Sequence, residues 1–257
     1  MRHVIITGAS SGLGAALART LLSPHTSLFC VSRSLNEELI NESSVAGVPL
    51  HWIQADLAET LSIEAFMGSI ADRIGVNEPE TVALINNAAV LTPLGEIGTG
   101  AADELQRAVH VNLIAPVILT HSFVRHFGSY RCRRTVINVS SGAGTSPMPG
   151  LSTYSTTKAA LNMFTRAAAA EHGTDDPRAP FRFYAVSPGT VDTGMQEALR
   201  AAGPSVVPNH GIYVGWKESG ALVQPAAAAR AVASLIDRDD VPNGAYVHRS
   251  ELDGEAR

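Results

Sequence analysis

The sequence predicts an α/β fold: a single doubly wound domain with a seven-stranded parallel sheet flanked by helices. Seven apolar runs of strand length alternate with helix-length segments. Runs such as 4–6 and 82–85 are continuously hydrophobic, which is typical of parallel strands covered on both faces. A chain of 257 residues fits one large domain or two small ones. Because no linker interrupts the alternation, we expect one domain over residues 1–257.

Each strand is predicted from an apolar run, and each helix from a longer segment between two such runs. The predicted strands are 3–7, 27–32, 50–54, 81–86, 135–140, 181–187 and 245–248. The predicted helices are 12–23, 35–41, 60–74, 102–127, 152–172 and 225–237. The least regular segment is 189–220, which carries Gly203, Pro204 and Pro208. It is long enough to be a lid, and we expect it to form the substrate loop.

Composition argues against several classes of partner. The formal net charge is -5, and the arginines are scattered apart from Arg131, Arg133 and Arg134, so no extended basic face for nucleic acid is expected. The first residues run directly into a strand, with no apolar region long enough for a signal peptide or a membrane span. Cys30 and Cys132 each lie beside a predicted buried strand, which favours a reduced, cytoplasmic protein. The nine histidines show no ligand spacing, so no metal is expected.

A glycine-rich turn follows the first predicted strand, in the order Thr7-Gly8-Ala9-Ser10-Ser11-Gly12-Leu13-Gly14. Glycines let such a turn approach a pyrophosphate closely, and the N-terminus of the next helix favours its negative charge. A tight connection between strand and helix would explain the glycines equally well in isolation. Its place at the start of an alternating α/β chain favours a dinucleotide.

The end of the second predicted strand indicates which dinucleotide is bound. An acidic residue here would hydrogen-bond the adenosine ribose of NAD, but the chain has Ser32 and Arg33. Arg33 could pair with a 2′-phosphate through two N–H donors, and Ser32 would not repel it. The alternative is an ordinary surface arginine. We expect NADP(H) as the cofactor.

Tyr154 and Lys158 lie one helical turn apart and therefore share a helix face. On such a face the ammonium group can make the phenol more acidic. Spacing alone is weak evidence, because a pair like this also arises by chance.

Together these features resemble the classical short-chain dehydrogenase/reductases, and the resemblance extends over essentially the whole chain. The matching motifs fall in the family's order and spacing: Thr7-Gly8-x-x-x-Gly12-x-Gly14, Asp56-Leu57, Asn86-Asn87-Ala88-Ala89, Asn112, Ser141, Tyr154-x-x-x-Lys158 and Pro188-Gly189-x-x-x-Thr193. The resemblance implies a Rossmann-type domain, a small-molecule carbonyl substrate and a homodimer or homotetramer.

The resemblance also implies the residues that bind the cofactor. Asp56 and Leu57 would flank the adenine, Asn87 would support the cofactor behind the fourth strand, and Thr193 would hold the nicotinamide carboxamide. Each polar residue has a structural alternative: Asp56 could cap a helix, Asn87 could satisfy turn backbone, and Thr193 could start a loop helix. The full predicted set is Gly8, Ser10, Ser11, Gly12, Leu13, Gly14, Ser32, Arg33, Asp56, Leu57, Asn87, Ala88, Tyr154, Lys158, Pro188, Gly189, Val191 and Thr193.

The resemblance assigns the catalytic roles as well. Tyr154 would be the general acid that protonates the carbonyl oxygen, and Lys158 would lower its pKa and bind the nicotinamide ribose. Ser141 would polarise the carbonyl oxygen; Ser140 is its neighbour, but the family spacing selects Ser141. Asn112 would hold a water of a proton relay.

Two positions depart from the family pattern. Ala89 replaces the usual glycine, and we expect the added methyl group to be tolerated. Ser11 replaces a basic residue found in many NADP-preferring members, so we expect Arg33 to be the main phosphate contact.

Residues 185–196, the segment to 220 and the short C-terminal end resemble the sepiapterin reductase branch and its microbial relatives that reduce benzil. In that branch an acidic residue near the last strand anchors the pterin, and here the position is His248. Glu251 or Asp253 could substitute. We therefore expect an NADPH-dependent reductase of ketones or vicinal diketones such as benzil. The alternative is a sepiapterin-type pterin reductase. A non-catalytic NADP-binding regulator is a third, less favoured hypothesis. The apolar pocket of the expected reductase would include Met148, Leu151, Met195, Tyr213 and Trp216. The alternative for each of these side chains is an ordinary core or interface position.

Overall fold

A computed structural model describes residues 1–75, 79–172 and 181–252. It contains one seven-stranded sheet in the order β3-β2-β1-β4-β5-β6-β7, and every pairing is parallel. The strands are β1 (Arg2–Thr7), β2 (Thr26–Ser32), β3 (Leu50–Gln54), β4 (Thr81–Asn86), β5 (Arg133–Val139), β6 (Phe181–Ser187) and β7 (Tyr246–His248). The predicted fold class is confirmed.

Helices connect successive strands and cover both faces of the sheet. They are α1 (Gly12–Leu21), α2 (Glu37–Val45), α3 (Ile63–Ile74), α4 (Ala102–Val109), α5 (Ala115–Phe127), α6 (Ser152–His172), α7 (Gly194–Ala202), α8 (His210–Glu218), α9 (Pro225–Ser234) and α10 (Arg249–Leu252). A π-helical turn, His110–Ile114, joins α4 to α5, and short 3₁₀ turns precede α3 and follow β5. The helix predicted over 102–127 is therefore continuous but not regular.

The core has two layers because alternate residues of each strand point to opposite faces. Val4 and Ile6 pack with α1 and α9, whereas Ile5 packs with α3 and α5 on the other face. All three side chains are fully buried. Burial on both sides explains why the strands read as continuous hydrophobic runs.

The segment 189–220 differs from the prediction, because it contains the two helices α7 and α8. Each of these helices has nine residues. Gly203, Pro204 and Pro208 lie between them, and such helix-breaking residues make the segment read as irregular in the sequence.

Within the described residues, Ala102–Phe127 is long and apolar enough to cross a bilayer, with a mean hydropathy of 1.2. Half of that stretch is buried inside the protein, and α5 packs against α3 and β4. Core helices satisfy the same length and composition criteria, so the stretch is weak evidence for a membrane span.

The sheet order reverses direction at β1 and β4, which lie side by side although β2 and β3 separate them in sequence. In open parallel sheets the crevice at such a switch point, beyond the carboxyl ends of the strands, is where ligands bind. The glycine turn after β1 and the Asn87 segment after β4 meet there.

Candidate active site

A cavity of about 730 Å³ lies at the carboxyl ends of the strands. It extends from the glycine turn, past α6, to α7 and α8. All the predicted cofactor-binding residues line it, as do Ser141 and the predicted apolar pocket residues; Asn112 does not. The structure thus brings together side chains that are more than 200 positions apart in the sequence, such as Ser10 and Trp216. Their individual binding roles remain predictions.

The glycine turn has the geometry that only glycine supports. Gly8 and Gly12 have φ values of +69° and +52°, in the left-handed region. A Cβ at Gly14 would lie 2.0 Å from the carbonyl oxygen of Gly8. The turn therefore packs directly on the first turn of α1, which would not tolerate a side chain there.

The N-terminus of α1 is open toward the cavity. Its N-cap residue, Ser11, makes no side-chain hydrogen bond to the helix backbone. The first N–H groups of a helix have no partner within the helix, and they favour an anion. Gly12, Leu13 and Gly14 line the cavity at this point, which fits a bound pyrophosphate.

Asn87 links the end of β4 to the glycine turn. Its Nδ2 donates to the carbonyl oxygen of Thr7 at 2.8 Å, and the Thr7 hydroxyl accepts from the backbone N–H groups of Asn87 and Ala88, each at 3.0 Å. Asn87 thus satisfies backbone groups of the turn, which is the structural alternative named above. It also lines the cavity. It positions the turn and lies beside any ligand bound there.

Ser32 and Arg33 differ in how firmly they are held. The Ser32 hydroxyl is buried, donates to the Ser34 carbonyl oxygen at 2.8 Å and accepts from the Trp52 Nε1 at 3.1 Å. Arg33 is exposed and lines the cavity. The guanidinium is therefore the group at this edge that can reach a phosphate.

Asp56 is paired with Arg107, a residue that the sequence analysis did not single out. The Nη2 of Arg107 lies 2.9 Å and 3.2 Å from the two carboxylate oxygens. Burial opposes ionisation of Asp56, but hydrogen bonds from the Ala58 N–H and Arg107, with the charges of Arg107 and Arg33, lower its pKa. Both partners line the cavity. No local sequence signal joins residues that are 51 positions apart.

A second residue outside the predicted set is Asn36, the N-cap of α2. Its side chain accepts from the Leu39 N–H at 2.9 Å and donates to the Ser10 carbonyl oxygen at 2.9 Å. It thereby fixes the glycine turn against α2. The N-cap pattern, Asn before two acidic residues and an apolar residue, could have indicated the first contact but not the second.

Tyr154 and Lys158 are both buried on α6, with the Lys158 Nζ 5.6 Å from the centre of the Tyr154 ring. The Nζ donates to the Val139 carbonyl oxygen at 2.8 Å. This contact fixes the ammonium group against the end of β5.

The pKa of Tyr154 differs from the sequence prediction. Burial raises it to about 12, and a hydrogen bond with Ser141 opposes the rise. Burial also lowers the pKa of Lys158 to about 8. The net shift of the tyrosine pKa is therefore upward, against the predicted fall, because burial disfavours the phenolate. A lowering contribution from Lys158 remains a prediction.

The structure distinguishes Ser141 from Ser140. The Ser140 hydroxyl is buried and donates to the Asn162 Oδ1 at 2.6 Å. Ser141 is partly exposed, accepts weakly from the Ala143 N–H at 3.2 Å and hydrogen-bonds Tyr154. Ser141 is therefore the hydroxyl available to a ligand beside the phenol.

Asn112 lies in the π-helical turn and is fully buried. Its Oδ1 accepts from the Val90 N–H at 2.7 Å and its Nδ2 donates to the Val90 carbonyl oxygen at 2.8 Å. The side chain thus fixes the segment after β4 and does not reach the cavity. A role in holding a relay water remains a prediction.

Thr193 is the N-cap residue of α7, so the alternative that it starts a loop helix is met. It also contacts the glycine turn. A Cβ on Gly12 would lie 3.2 Å from the Thr193 Cγ2. Just before it, Gly189 has a φ of +80°, and Val191 pairs with Val223. The loop after β6 is therefore packed between the glycine turn and α7.

The end of the cavity remote from the glycine turn is apolar. Its lining comes from the segment after β4, from the loop before α6 and from α7 and α8. The predicted residues Met148, Leu151, Met195, Tyr213 and Trp216 all belong to it, together with Ala89 and Leu199.

Among the described residues that line the cavity, the only carboxylate is Asp56. His248 lies outside the lining, with its Nδ1 2.8 Å from the Ser250 hydroxyl. Glu251 accepts from the His248 N–H at 2.8 Å, which occupies one carboxylate oxygen at the start of α10. Asp253, the other predicted substitute, lies outside the described residues.

A family model for short chain dehydrogenase matches residues 2–203. The chain belongs to this family. It is therefore an oxidoreductase with a nicotinamide-binding fold, as the sequence motifs indicate.

The chain is 35% identical to a Bacillus cereus benzil reductase, an enzyme described as forming (S)-benzoin, over 98% of this chain and 100% of the relative. It is 29% identical to sepiapterin reductase from Bos taurus, over 95% of this chain and 92% of the relative. Among solved structures, the KRED1-Pglu enzyme superposes with a TM-score of 0.81 at 29% identity, over 96% of this chain and 100% of that one. The suggested branch is confirmed, because benzil reductases and sepiapterin reductases are among the relatives that this chain resembles.

Proposed function

We propose that the protein is an NADPH-dependent carbonyl reductase that acts on ketones, and on vicinal diketones such as benzil in particular. The observation that carries the proposal is the continuous cavity, which places Ser141, Tyr154 and Lys158 between a dinucleotide cradle and an apolar end. The likeness to benzil reductases supports the substrate class.

The cavity fits a nicotinamide dinucleotide at its polar end. The open N-terminus of α1 would hold the pyrophosphate, Asp56 and Leu57 would lie beside the adenine, and Thr193 beside the nicotinamide. When bound in reduced form, the cofactor supplies the hydride. Arg33, exposed at the end of β2 without a neighbouring acidic residue in the chain, favours a 2′-phosphate and hence NADPH.

In the proposed reaction, Ser141 and Tyr154 hydrogen-bond the carbonyl oxygen and hold its carbon at the nicotinamide end. The carbonyl gains one hydride at carbon and one proton at oxygen, and Tyr154 Oη donates that proton. Tyr154 enters the step protonated, because burial raises its pKa to about 12. Lys158, whose pKa is about 8, carries a positive charge at neutral pH and stabilises the phenolate left after transfer.

The apolar end favours a diketone over a pterin. A pterin presents a polar, guanidine-like edge, and leaving such an edge unpaired in an apolar pocket costs about 1 to 3 kcal/mol. The described lining has no carboxylate at this end. Two aromatic rings joined by a diketone would instead bury apolar surface against methionine, leucine and tryptophan.

The decisive experiment compares substrates by NADPH oxidation. We expect kcat/KM for benzil to exceed that for sepiapterin, and NADPH to be used better than NADH. A preference for sepiapterin would replace this proposal with the pterin reductase. Binding of NADPH without oxidation, across a panel of aldehydes, ketones and diketones, would instead favour a non-catalytic regulator.

We also propose that the protein assembles as a homodimer or homotetramer. Met163 on α6 is 59% exposed and Leu105 on α4 is 38% exposed, which leaves apolar surface on these helices of the monomer. Light scattering of the purified protein tests this, and a monomeric mass at micromolar concentration would contradict it.

A further inference from the structure

A tyrosine hydroxyl at the apolar end of the cavity has only a weak acceptor. Tyr213 on α8 is 5% exposed, and its Oη lies 3.9 Å from the Sδ of Met148. A thioether sulfur accepts hydrogen bonds poorly, whereas buried phenols normally find an oxygen partner. If a carbonyl oxygen replaced the sulfur as the acceptor of this O–H, little hydrogen-bond energy would be lost.

The Tyr213 ring is held in place by its neighbours. It packs edge-on against Trp216, with ring centres 5.5 Å apart and planes at 81°. Tyr213 belongs to the same buried cluster as Tyr154 and Leu151. Tyr213 also lines the cavity that Ser141 and Tyr154 line, so its hydroxyl is a donor within that cavity. Burial raises the pKa of Tyr213, so the proton stays on the oxygen at neutral pH.

We propose that Tyr213 determines substrate specificity by donating a hydrogen bond to the second carbonyl oxygen of a vicinal diketone, while Ser141 and Tyr154 hold the carbonyl that is reduced. The assignment rests on the proposed function and names the feature of the substrate that it selects. The two carbonyl carbons of such a diketone are bonded directly, so the second oxygen must also enter the pocket. Left unpaired among apolar side chains, that oxygen would oppose binding.

Gln196 is the competing donor in the same cavity. It is 9% exposed, and its Oε1 is buried with no hydrogen-bond partner among the described residues. That oxygen can only accept a hydrogen bond; half a turn of the carboxamide would be needed to put an N–H in its place. Tyr213 already presents a donor, so we assign the contact to Tyr213.

The test pairs two substrates that differ by one carbonyl. Benzil has two adjacent carbonyls between its phenyl rings, and deoxybenzoin has a methylene in place of one of them. We expect Tyr213→Phe to lower kcat/KM for benzil about three- to tenfold and to leave deoxybenzoin within about twofold. Tyr130→Phe is the matched control, because the Tyr130 hydroxyl donates to the Gly75 carbonyl oxygen outside the cavity. This control should leave kcat/KM unchanged for both benzil and deoxybenzoin.

Three other outcomes contradict the assignment. Equal effects of Tyr213→Phe on both substrates would show that the hydroxyl does not recognise the second carbonyl. A benzil-selective loss in Gln196→Leu alone would transfer the role to Gln196. If the wild-type protein reduces neither ketone with NADPH although it binds the cofactor, the proposed function itself fails, and the assignment fails with it.

Discussion

The ammonium group of Lys158 lies 5.6 Å from the centre of the Tyr154 ring and is bonded to the Val139 carbonyl oxygen. The phenol stays protonated at neutral pH, because burial raises the pKa of Tyr154. Tyr154 can therefore donate its proton when a carbonyl oxygen gains negative charge, and the Lys158 ammonium can then stabilise the phenolate.

Removal of the Tyr154 hydroxyl should separate chemistry from cofactor binding. We expect Tyr154→Phe to lower kcat about 100- to 10,000-fold, the range that a general acid contributes, with NADPH affinity nearly unchanged. Steady-state turnover of benzil and fluorescence titration of NADPH measure the two effects. A variant that keeps most of its turnover would refute the acid role.

Burial of Lys158 should cost stability in a pH-dependent way. Its pKa is about 8 in the folded chain, against an ordinary value of 10.5. Below about pH 8 both states hold the proton and the cost is complete. Between about pH 8 and 10.5 the unfolded chain binds more protons, so stability rises with pH.

We therefore expect Lys158→Met to be more stable than the wild type at about pH 7, by about 1 to 3 kcal/mol in the free energy of unfolding. The difference should shrink as pH rises toward about 10.5. Urea denaturation of both proteins at each pH measures it. A difference independent of pH would show that the ammonium is not desolvated as the structure indicates.

Arg33 should discriminate between the two nicotinamide cofactors. We expect Arg33→Ala to raise the Kd for NADPH about tenfold or more, because a charge-assisted contact with the 2′-phosphate is lost. The Kd for NADH should change little. Fluorescence titration with both cofactors checks this, and comparable losses would rule out Arg33 as the phosphate contact.

Arg107 should affect both cofactors equally. Its ion pair holds the Asp56 carboxylate in the cavity wall, at the end where we propose that the adenine binds, and adenine is common to NADPH and NADH. We expect Arg107→Gln to weaken both cofactors several-fold, with kcat at saturation nearly unchanged. Because the ion pair is partly exposed, the effect on folding stability should be small. Loss of NADPH affinity alone would instead place Arg107 on the phosphate.

Gly14 should tolerate no side chain. In Gly14→Ala the new methyl group would lie 2.0 Å from the Gly8 carbonyl oxygen and 2.7 Å from the Asn87 Nδ2. We expect the variant to lose at least about 1 to 3 kcal/mol of stability and to bind NADPH poorly. Gly211→Ala is the control, since its Cβ would meet nothing within 4 Å. Thermal melts that show equal stability for both variants would contradict the close contact.

The local motifs could be predicted from the sequence because their geometry depends on short spacing. Gly8, Gly12 and Gly14 define one turn, and Tyr154 and Lys158 lie on one helix face. The parallel sheet followed from continuous apolar runs, since two-sided burial leaves that pattern. These features need no knowledge of which distant segments meet.

Other features depend on distant contacts or on the degree of burial. Asp56 and Arg107 are 51 positions apart, and Tyr213 and Met148 are 65 apart, so only the fold brings each pair together. The sequence places Lys158 near Tyr154 but does not show that both are desolvated, and desolvation decides the pKa of each. The helices α7 and α8 have nine residues each and are separated by Gly203, Pro204 and Pro208, so the segment reads as irregular.

The π-helical turn at His110–Ile114 makes the length of this helix as important as its composition. Its hydrogen bonds run from residue i to i+5, so the turn holds one residue more than an α-helical turn between the same neighbours. Deleting one residue here would let the turn close as ordinary α-helix and keep α4 in register with α5. Asn112 would be lost or displaced, and its two hydrogen bonds with Val90 would break. Arg107, which lies before the turn, would keep its ion pair with Asp56.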